Sequence, residues 1–486
     1  MARLLILFYF FFWRLLPCIT VLDFQTGHHS SLTIAIAIMA FFIEILILAP
    51  FFLRHFAGIP VGWLHPFILP TVVSVALGFL MEPVSILVPF TAWFSKTSNG
   101  NHILLQGWGE FTVLTAQLRE SFINVLALIS TYLGFLIYKA RAPAVTHGPI
   151  RIDGFKLTVC FLFFLFVVLL FLQLQGGVIA HMATLAGGRH RMGELNGHFL
   201  VINNFLPYVI ILWYAYQPKA LRNPFFLLAF FVASISQFVV TGSRSALLMP
   251  LAMLLAVWIL HNRRLPVIRV ILLGVCMVLS IGILGEVRRS GDEGSIDISP
   301  LLESDLTTAW ASLQEERAAR AKGTDLAVAA IVPEKENYLY GTTYLAALAF
   351  WVPRSIWREK PRGAGAHAAA LLYHGRDTMD GYRGGGYPLN GAYEAFWNYW
   401  YPGVVIVYLI FGSILGLVSR WFCRESANPY AVVGLLIVNF GLNTPNTTSL
   451  VPALQSMVLL YVLYLFVTRL RLTRNFPSKR TLCSVI

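Results

Sequence analysis

Long apolar runs recur from one end of this chain to the other, separated by polar breaks, and they leave few folds open. A helix needs about 20 apolar residues to cross some 30 Å of hydrocarbon, and by that measure roughly twelve runs qualify. They cover Leu4 to Val21, Leu32 to Leu53, Trp63 to Pro89, Phe122 to Tyr138, Leu157 to Leu174, Phe199 to Tyr216, Pro224 to Val240, Ser245 to Leu260, Val267 to Gly285, Tyr399 to Ser419, Tyr430 to Leu442 and Val451 to Val467. In hydrocarbon every backbone polar group must be satisfied internally, so runs of this length read as transmembrane helices. With 57% hydrophobic and 12% charged residues, the fold class expected is an all-α polytopic membrane protein.

Lysine and arginine set the expected orientation. The breaks holding Arg54, Lys139, Arg141, Arg151 and Lys156, Lys219 and Arg222, Arg263, Arg264 and Arg269, Arg420 and Arg424, and the basic tail alternate strictly with less basic ones. The positive-inside rule then places both termini in the cytoplasm. Three parts follow: helices 1–9 over 1–286, an extracytoplasmic loop domain over 287–398, and helices 10–12 with a basic tail over 399–486. The same asymmetry accounts for much of the net charge of +13, and nucleic acid is not needed as a partner. Arg14 and Glu44 fall near mid-membrane in neighbouring runs, where an unpaired charge is costly, so an ion pair between them is expected. The five cysteines lie in apolar runs or on the cytoplasmic side, and no disulfide framework is expected.

An insertion of about 110 residues between two spans is far longer than a connection requires. It is crowded with basic and aromatic residues, above all in Trp351-Val-Pro-Arg-Ser-Ile-Trp-Arg-Glu-Lys-Pro-Arg362. Tryptophan suits the lipid interface or a sugar face, and arginine suits phosphate oxygens. The candidate anion ligands are Arg354, Arg358 and Lys360 in this run, Arg288 and Arg289 where the ninth run ends, Arg189 and Arg191 before the sixth, and Arg244 in the turn Thr241-Gly-Ser-Arg-Ser-Ala246. Taken alone, Arg244 reads equally well as a snorkelling arginine at a helix end. Gly242 and Ser243 beside it would let a phosphate approach the start of the next helix. No Asp-x-Asp, Cys-x-x-Cys or His-Glu-x-x-His spacing occurs, so no metal ligand set and no cofactor is assigned.

These segments resemble those of the Wzy-type O-antigen polymerases and the related enterobacterial common antigen polymerases. The likeness rests on the Thr241 to Ala246 turn, the Trp351 to Pro361 segment, and Gly391-Ala-Tyr-Glu-Ala-Phe-Trp-Asn-Tyr-Trp-Tyr-Pro-Gly403 before an apolar run. It covers the second half of the chain, whereas the first half matches in hydropathy alone. The last motif has a wider spacing between Asn398 and Gly403 than the family pattern. The resemblance implies a GT-C-like membrane glycosyltransferase of the bacterial inner membrane with its large loop in the periplasm. Its donor and acceptor would both be glycan linked to undecaprenyl diphosphate, in contact with membrane lipid. A chain-length regulator protein is a candidate partner. The reaction needs a diphosphate stabilised as it leaves, and the incoming hydroxyl is either served by a base or merely oriented. Glu394 is the first choice for that base and His374 the second. Trp351, Trp357, Tyr393 and Trp397 are the expected sugar or lipid contacts. An O-antigen ligase, transferring glycan to lipid A core, and a transporter or flippase for lipid-linked glycan are the competing readings.

Overall fold

Side-chain caps written into the sequence start five of the helices. In the computed structural model, which describes residues 31–52, 65–68, 110–137, 152–186, 197–242, 244–262, 324–332, 334, 336–349, 352, 356–373, 386, 389–425, 428–442 and 444–469, all regular structure is helical and no strand occurs among the described residues. The helices are α1 (Ser31–Phe52), α2 (Glu110–Ile137), α3 (Gly154–Leu174), α4 (Val178–Ala186), α5 (Gly197–Tyr216), α6 (Pro224–Thr241), α7 (Arg244–Asn262), α8 (Thr324–Ile331), α9 (Thr342–Leu348), α10 (Ala364–His367), α11 (Gly391–Arg424), α12 (Pro429–Leu436) and α13 (Thr447–Tyr464). Asp153, Asn223, Asn390, Asn428 and Asn446 each precede a helix and accept a first-turn amide through the side chain. Pro224 and Pro429 follow two of these caps, where a missing N–H costs nothing. At the far end of α6 the chain turns at Gly242, φ 58°.

Among the described residues six helices are long and apolar enough to cross a membrane: Ser31–Phe51, Thr112–Ile137, Gly154–Leu174, Pro224–Thr241, Gly391–Arg424 and Thr447–Thr468. The second, the fourth to eighth and the tenth to twelfth apolar runs of the sequence fall on helices. The first and ninth runs, with Arg14, lie outside the described residues, as does most of the third.

Two packing features organise the bundle. The first is α5, which touches α3, α6, α7, α12 and α13. Phe205, Leu206, Val209, Ile210, Ile211 and Leu212 are all at most 1% exposed, so α5 is apolar all round because it has neighbours all round. Pro207 lies within it and cannot supply the amide that would satisfy the Asn203 carbonyl four residues back. Gln237 of α6 takes over, its Nε2 donating to Asn203 O at 3.0 Å.

The second feature is the pairing of α2 with α11, which brings backbone against backbone. A Cβ on Gly134 would stand 2.0 Å from Leu409 O, and one on Gly412 would stand 2.0 Å from Thr131 O. Small residues at such a crossing allow the close approach that drives helix association in lipid. Helix α11 is also broken. Tyr399 (φ −143°, ψ 24°) and Trp400 (φ 59°, ψ −151°) leave helical geometry just before Pro402. The Trp397 carbonyl next to this break accepts from Leu339 N at 2.9 Å. A short helical stub, Gly391 to Asn398, is thereby set off from the long apolar part of α11.

Candidate functional site

The stub is fixed at its start. Asn390 accepts Ala392 N at 3.2 Å and the Tyr408 hydroxyl at 3.2 Å through its side chain, and donates its own N–H to Asp325 Oδ1 at 3.0 Å. Asn446, the cap of α13, donates Nδ2 to Leu389 O at 3.0 Å. The N-terminal ends of α11 and α13 are therefore tied together. Burial pushes Asp325 up to about 6, against the hydrogen bond from Asn390 that draws it down.

Glu394 projects from the stub into this junction and is 1% exposed. Its Oε2 accepts the Thr447 amide, the first of α13, at 2.9 Å. The hydroxyls of Thr343 and Thr447 stand beside the carboxyl. Asn398, one turn on, donates Nδ2 to Thr343 Oγ1 and to Glu394 O, both at 2.8 Å, and accepts Gly341 N through Oδ1 at 2.8 Å. Since Thr343 Oγ1 accepts from Asn398, its own proton is free to face the carboxyl. Glu394 Oε1, Thr447 Oγ1 and the Tyr344 hydroxyl are buried with no hydrogen-bond partner. Buried polar atoms are ordinarily satisfied by protein or by water, so the junction is a polar spot inside the protein with hydrogen-bonding capacity to spare. A carboxyl with one oxygen clamped by an amide and the other open is chemically equipped to take a proton from such a group.

The basic run of the loop passes over the junction. A Cβ on Gly363 would lie 3.1 Å from Thr447 Oγ1. The residues leading to it carry Arg358, exposed, with Trp357, Lys360 and Arg362, half-buried. Lys360 Nζ donates to Val352 O at 3.1 Å. His367 of α10 sits edge-on to Trp397, ring centroids 6.2 Å apart. Burial, helped by the Arg362 guanidinium, pushes its imidazole down to about 4, so it is neutral at physiological pH.

The structure brings Glu394, Tyr393 and Trp397 together on the stub, and Gly363, three residues after Lys360, against Thr447. It places Tyr393 and Trp397 differently from the expected sugar or lipid contacts: both are at most 1% exposed. The Tyr393 hydroxyl accepts Asn124 Nδ2 at 2.9 Å and donates to Glu120 O at 3.4 Å, and Trp397 Nε1 donates to Asn337 O at 3.2 Å. In this arrangement they anchor the stub to α2 and to the loop. Arg244 opens α7 immediately beyond the Gly242 turn. Its side chain, and Arg189, Arg191, Arg288, Arg289, Trp351, Arg354 and His374, lie outside the described residues.

Four partners of the site were not singled out from the sequence: Thr343, Tyr344, Asn398 and Thr447. The signal available for Thr447 was Asn446-Thr-Thr-Ser449 before an apolar run, a helix start. Glu334 belongs to the structural frame. Arg119 of α2 grips it at 2.6 Å and donates to the carbonyls of Ala329 (2.8 Å) and Val332 (2.7 Å) at the end of α8. That guanidinium holds the Glu334 carboxyl below its usual range. Among the described residues no group of three or more His, Cys, Asp or Glu is placed to hold a metal ion.

The family model described as O-antigen polysaccharide polymerase Wzy matches residues 113–475, which include the stub, α13 and the basic run. No curated protein and no solved structure matches the chain.

Proposed function

We propose, from the premise that this chain belongs to the O-antigen polysaccharide polymerase Wzy family, that it joins undecaprenyl-diphosphate-linked repeat units into long surface polysaccharide. The family acts on lipid-linked oligosaccharide repeat units. In the reaction proposed, a hydroxyl of the acceptor sugar attacks the anomeric carbon of the donor glycan. A new glycosidic C–O bond forms, the bond to the diphosphate oxygen breaks, and undecaprenyl diphosphate leaves with the bonding electrons. Glu394 takes the proton of the attacking hydroxyl. Arg358 and Lys360, with Arg244, Arg288, Arg289, Arg354, Arg189 and Arg191, supply positive charge to the departing diphosphate. His374 is the alternative base, and Trp351 and Trp357 offer sugar or lipid contact. The wider architecture of the proposal is GT-C-like with twelve spans, both termini cytoplasmic, residues 287–398 in the periplasm, the inner membrane as its site and a chain-length regulator as partner. Because guanidinium and ammonium groups neutralise the leaving group, the proposed reaction proceeds without added metal, and resistance to chelator checks this.

The observation that supports the proposal is Glu394: a carboxyl inside the protein, held by the α13 amide, with the Thr343 and Thr447 hydroxyls beside it and Gly363, at the end of the basic run, against Thr447. The test supplies purified protein with a single compound, the lipid-linked repeat unit. A polymerase uses it as donor and acceptor and gives a ladder spaced by one repeat. A ligase, lacking its core acceptor, gives none, and neither does a flippase. Glu394→Gln keeps the shape and cannot take a proton, so its ladder should shrink about 10²-fold or more in rate. A full-rate ladder from that variant would remove Glu394 from the chemistry.

A further inference from the structure

Helix α9 walls the Glu394 junction, and its two sides differ in kind. Thr343 and the Tyr344 hydroxyl are buried on the inner side. On the outer side Leu345 is 46% and Leu348 76% exposed. Ile356, just past the helix, is 78% exposed. These residues lie outside the apolar spans, where a water-facing loop would ordinarily hide them.

The start of α9 lies against the exposed side of α11. Gly341, which caps α9 at φ 81°, sits so close to Tyr399 that a Cβ there would be 2.0 Å from the ring hydroxyl. Tyr399 and Trp400 at the break are themselves exposed, and beyond Pro402 the next exposed residues along α11 are the aliphatic Val405, Ile406 and Ile410. Beyond Ile356 come the exposed charges Arg358 and Glu359. Aliphatic side chains along α11, tyrosine and tryptophan at the break beside α9, and charge beyond Ile356 are the elements of a surface that passes through a bilayer interface, where an amphipathic helix lies with its apolar face toward the acyl chains.

We propose that α9 lies in the membrane interface on the loop side, with Leu345, Leu348 and Ile356 against lipid acyl chains. Membrane lipid is then the partner of this face, and one short helix is all that separates it from the buried carboxyl. A lipid-linked substrate reaches Glu394 by crossing α9 without leaving the bilayer; that last step rests on the polymerase reading, whereas the lipid contact does not.

The test places the photocrosslinking residue p-benzoylphenylalanine at Leu345, Leu348 or Ile356 in the full-length protein, with Arg358 as the control position. The protein is reconstituted in vesicles of phosphatidylethanolamine and phosphatidylglycerol and irradiated, and the adducts are read by mass spectrometry. Phospholipid adducts at the three apolar positions, at least tenfold above those at Arg358, support the proposal. Adducts to residues 263–323 of the same chain or to a second copy would overturn it, as would phospholipid adducts no more frequent than at Arg358. The readout is covalent capture and does not require turnover. An inactive but lipid-crosslinked protein would count against the polymerase reading and leave the surface assignment standing.

Discussion

Replacing Gln237 by leucine removes the donor to the Asn203 carbonyl while nearly preserving side-chain volume, and Pro207 makes that carbonyl unusually dependent on its outside partner. The bond is 3.0 Å long and buried, and no water is at hand in the core of a helix bundle to replace it. Leaving a buried acceptor unsatisfied costs about 1–3 kcal/mol. Pairwise hydrogen-bond couplings measured between membrane helices run lower, averaging about 0.6 kcal/mol, because the unfolded state in the membrane also finds partners. A loss near 1 kcal/mol is therefore expected for Gln237→Leu, read as a shift in the unfolding midpoint in mixed detergent and SDS micelles. The decisive comparison is in a Pro207→Ala background. Alanine restores an N–H four residues after Asn203, so α5 can close its own hydrogen bond and Gln237 becomes dispensable. In that background the leucine change should cost less than about half as much, giving a positive coupling in the double-mutant cycle. Equal losses in both backgrounds would show that Gln237 serves α5 through packing and that Pro207 has no part in it.

Gly412→Ala should be more damaging. Its Cβ would stand 2.0 Å from Thr131 O, short of ordinary contact by about 1.5 Å, so α2 and α11 must part, at a cost of about 1–3 kcal/mol; an unchanged unfolding midpoint would refute the backbone contact. Asp325, raised to about 6, favours folding when protonated, so its contribution declines as pH rises from about 4 through 6. Asp325→Asn should therefore stabilise the protein at pH 7 by up to about 3 kcal/mol, seen as a flatter profile of melting temperature against pH. His367, lowered to about 4, has the opposite sign: stability present above about 6.5 is lost as pH falls toward 4. His367→Gln should remove that acid loss, and melting curves at pH 4.5 and 7.5 would check it. Alanine at Arg244 or Arg354 should lower the ladder-forming rate about 10² to 10³-fold with protein level unchanged, and lysine should restore only part of it. A wild-type ladder from both alanine variants would reject their role at the diphosphate.

The helices were legible because hydrocarbon thickness imposes a run length that composition must honour. Their caps were legible for a related reason: Asn223-Pro224 and Asn428-Pro429 solve the problem of unsatisfied first-turn amides locally. Glu394 could be singled out from its place before an apolar run. Its burial and its bond to Thr447 could not be foreseen, since that partner lies 53 positions away. The same distance problem hid the grip of Arg119 on Glu334, 215 positions apart. Tyr393 and Trp397 show a different limit. Aromatic residues at a helix start look the same in sequence whether they face a ligand or a core. Which they do depends on Asn124 and Asn337 arriving from elsewhere, and once those partners are present the rings are interior posts.

The break in α11 sets the stub apart from the long apolar part of the helix, so that its position is decided by other ties. Leu389 and Asn390 just before the stub, and Glu394, Trp397 and Asn398 within it, are tied to the α13 cap and first turn, to Asp325 of α8, and to the Asn337 to Thr343 segment. A piece fastened from so many directions is a stator. The carboxyl it carries therefore holds its aim.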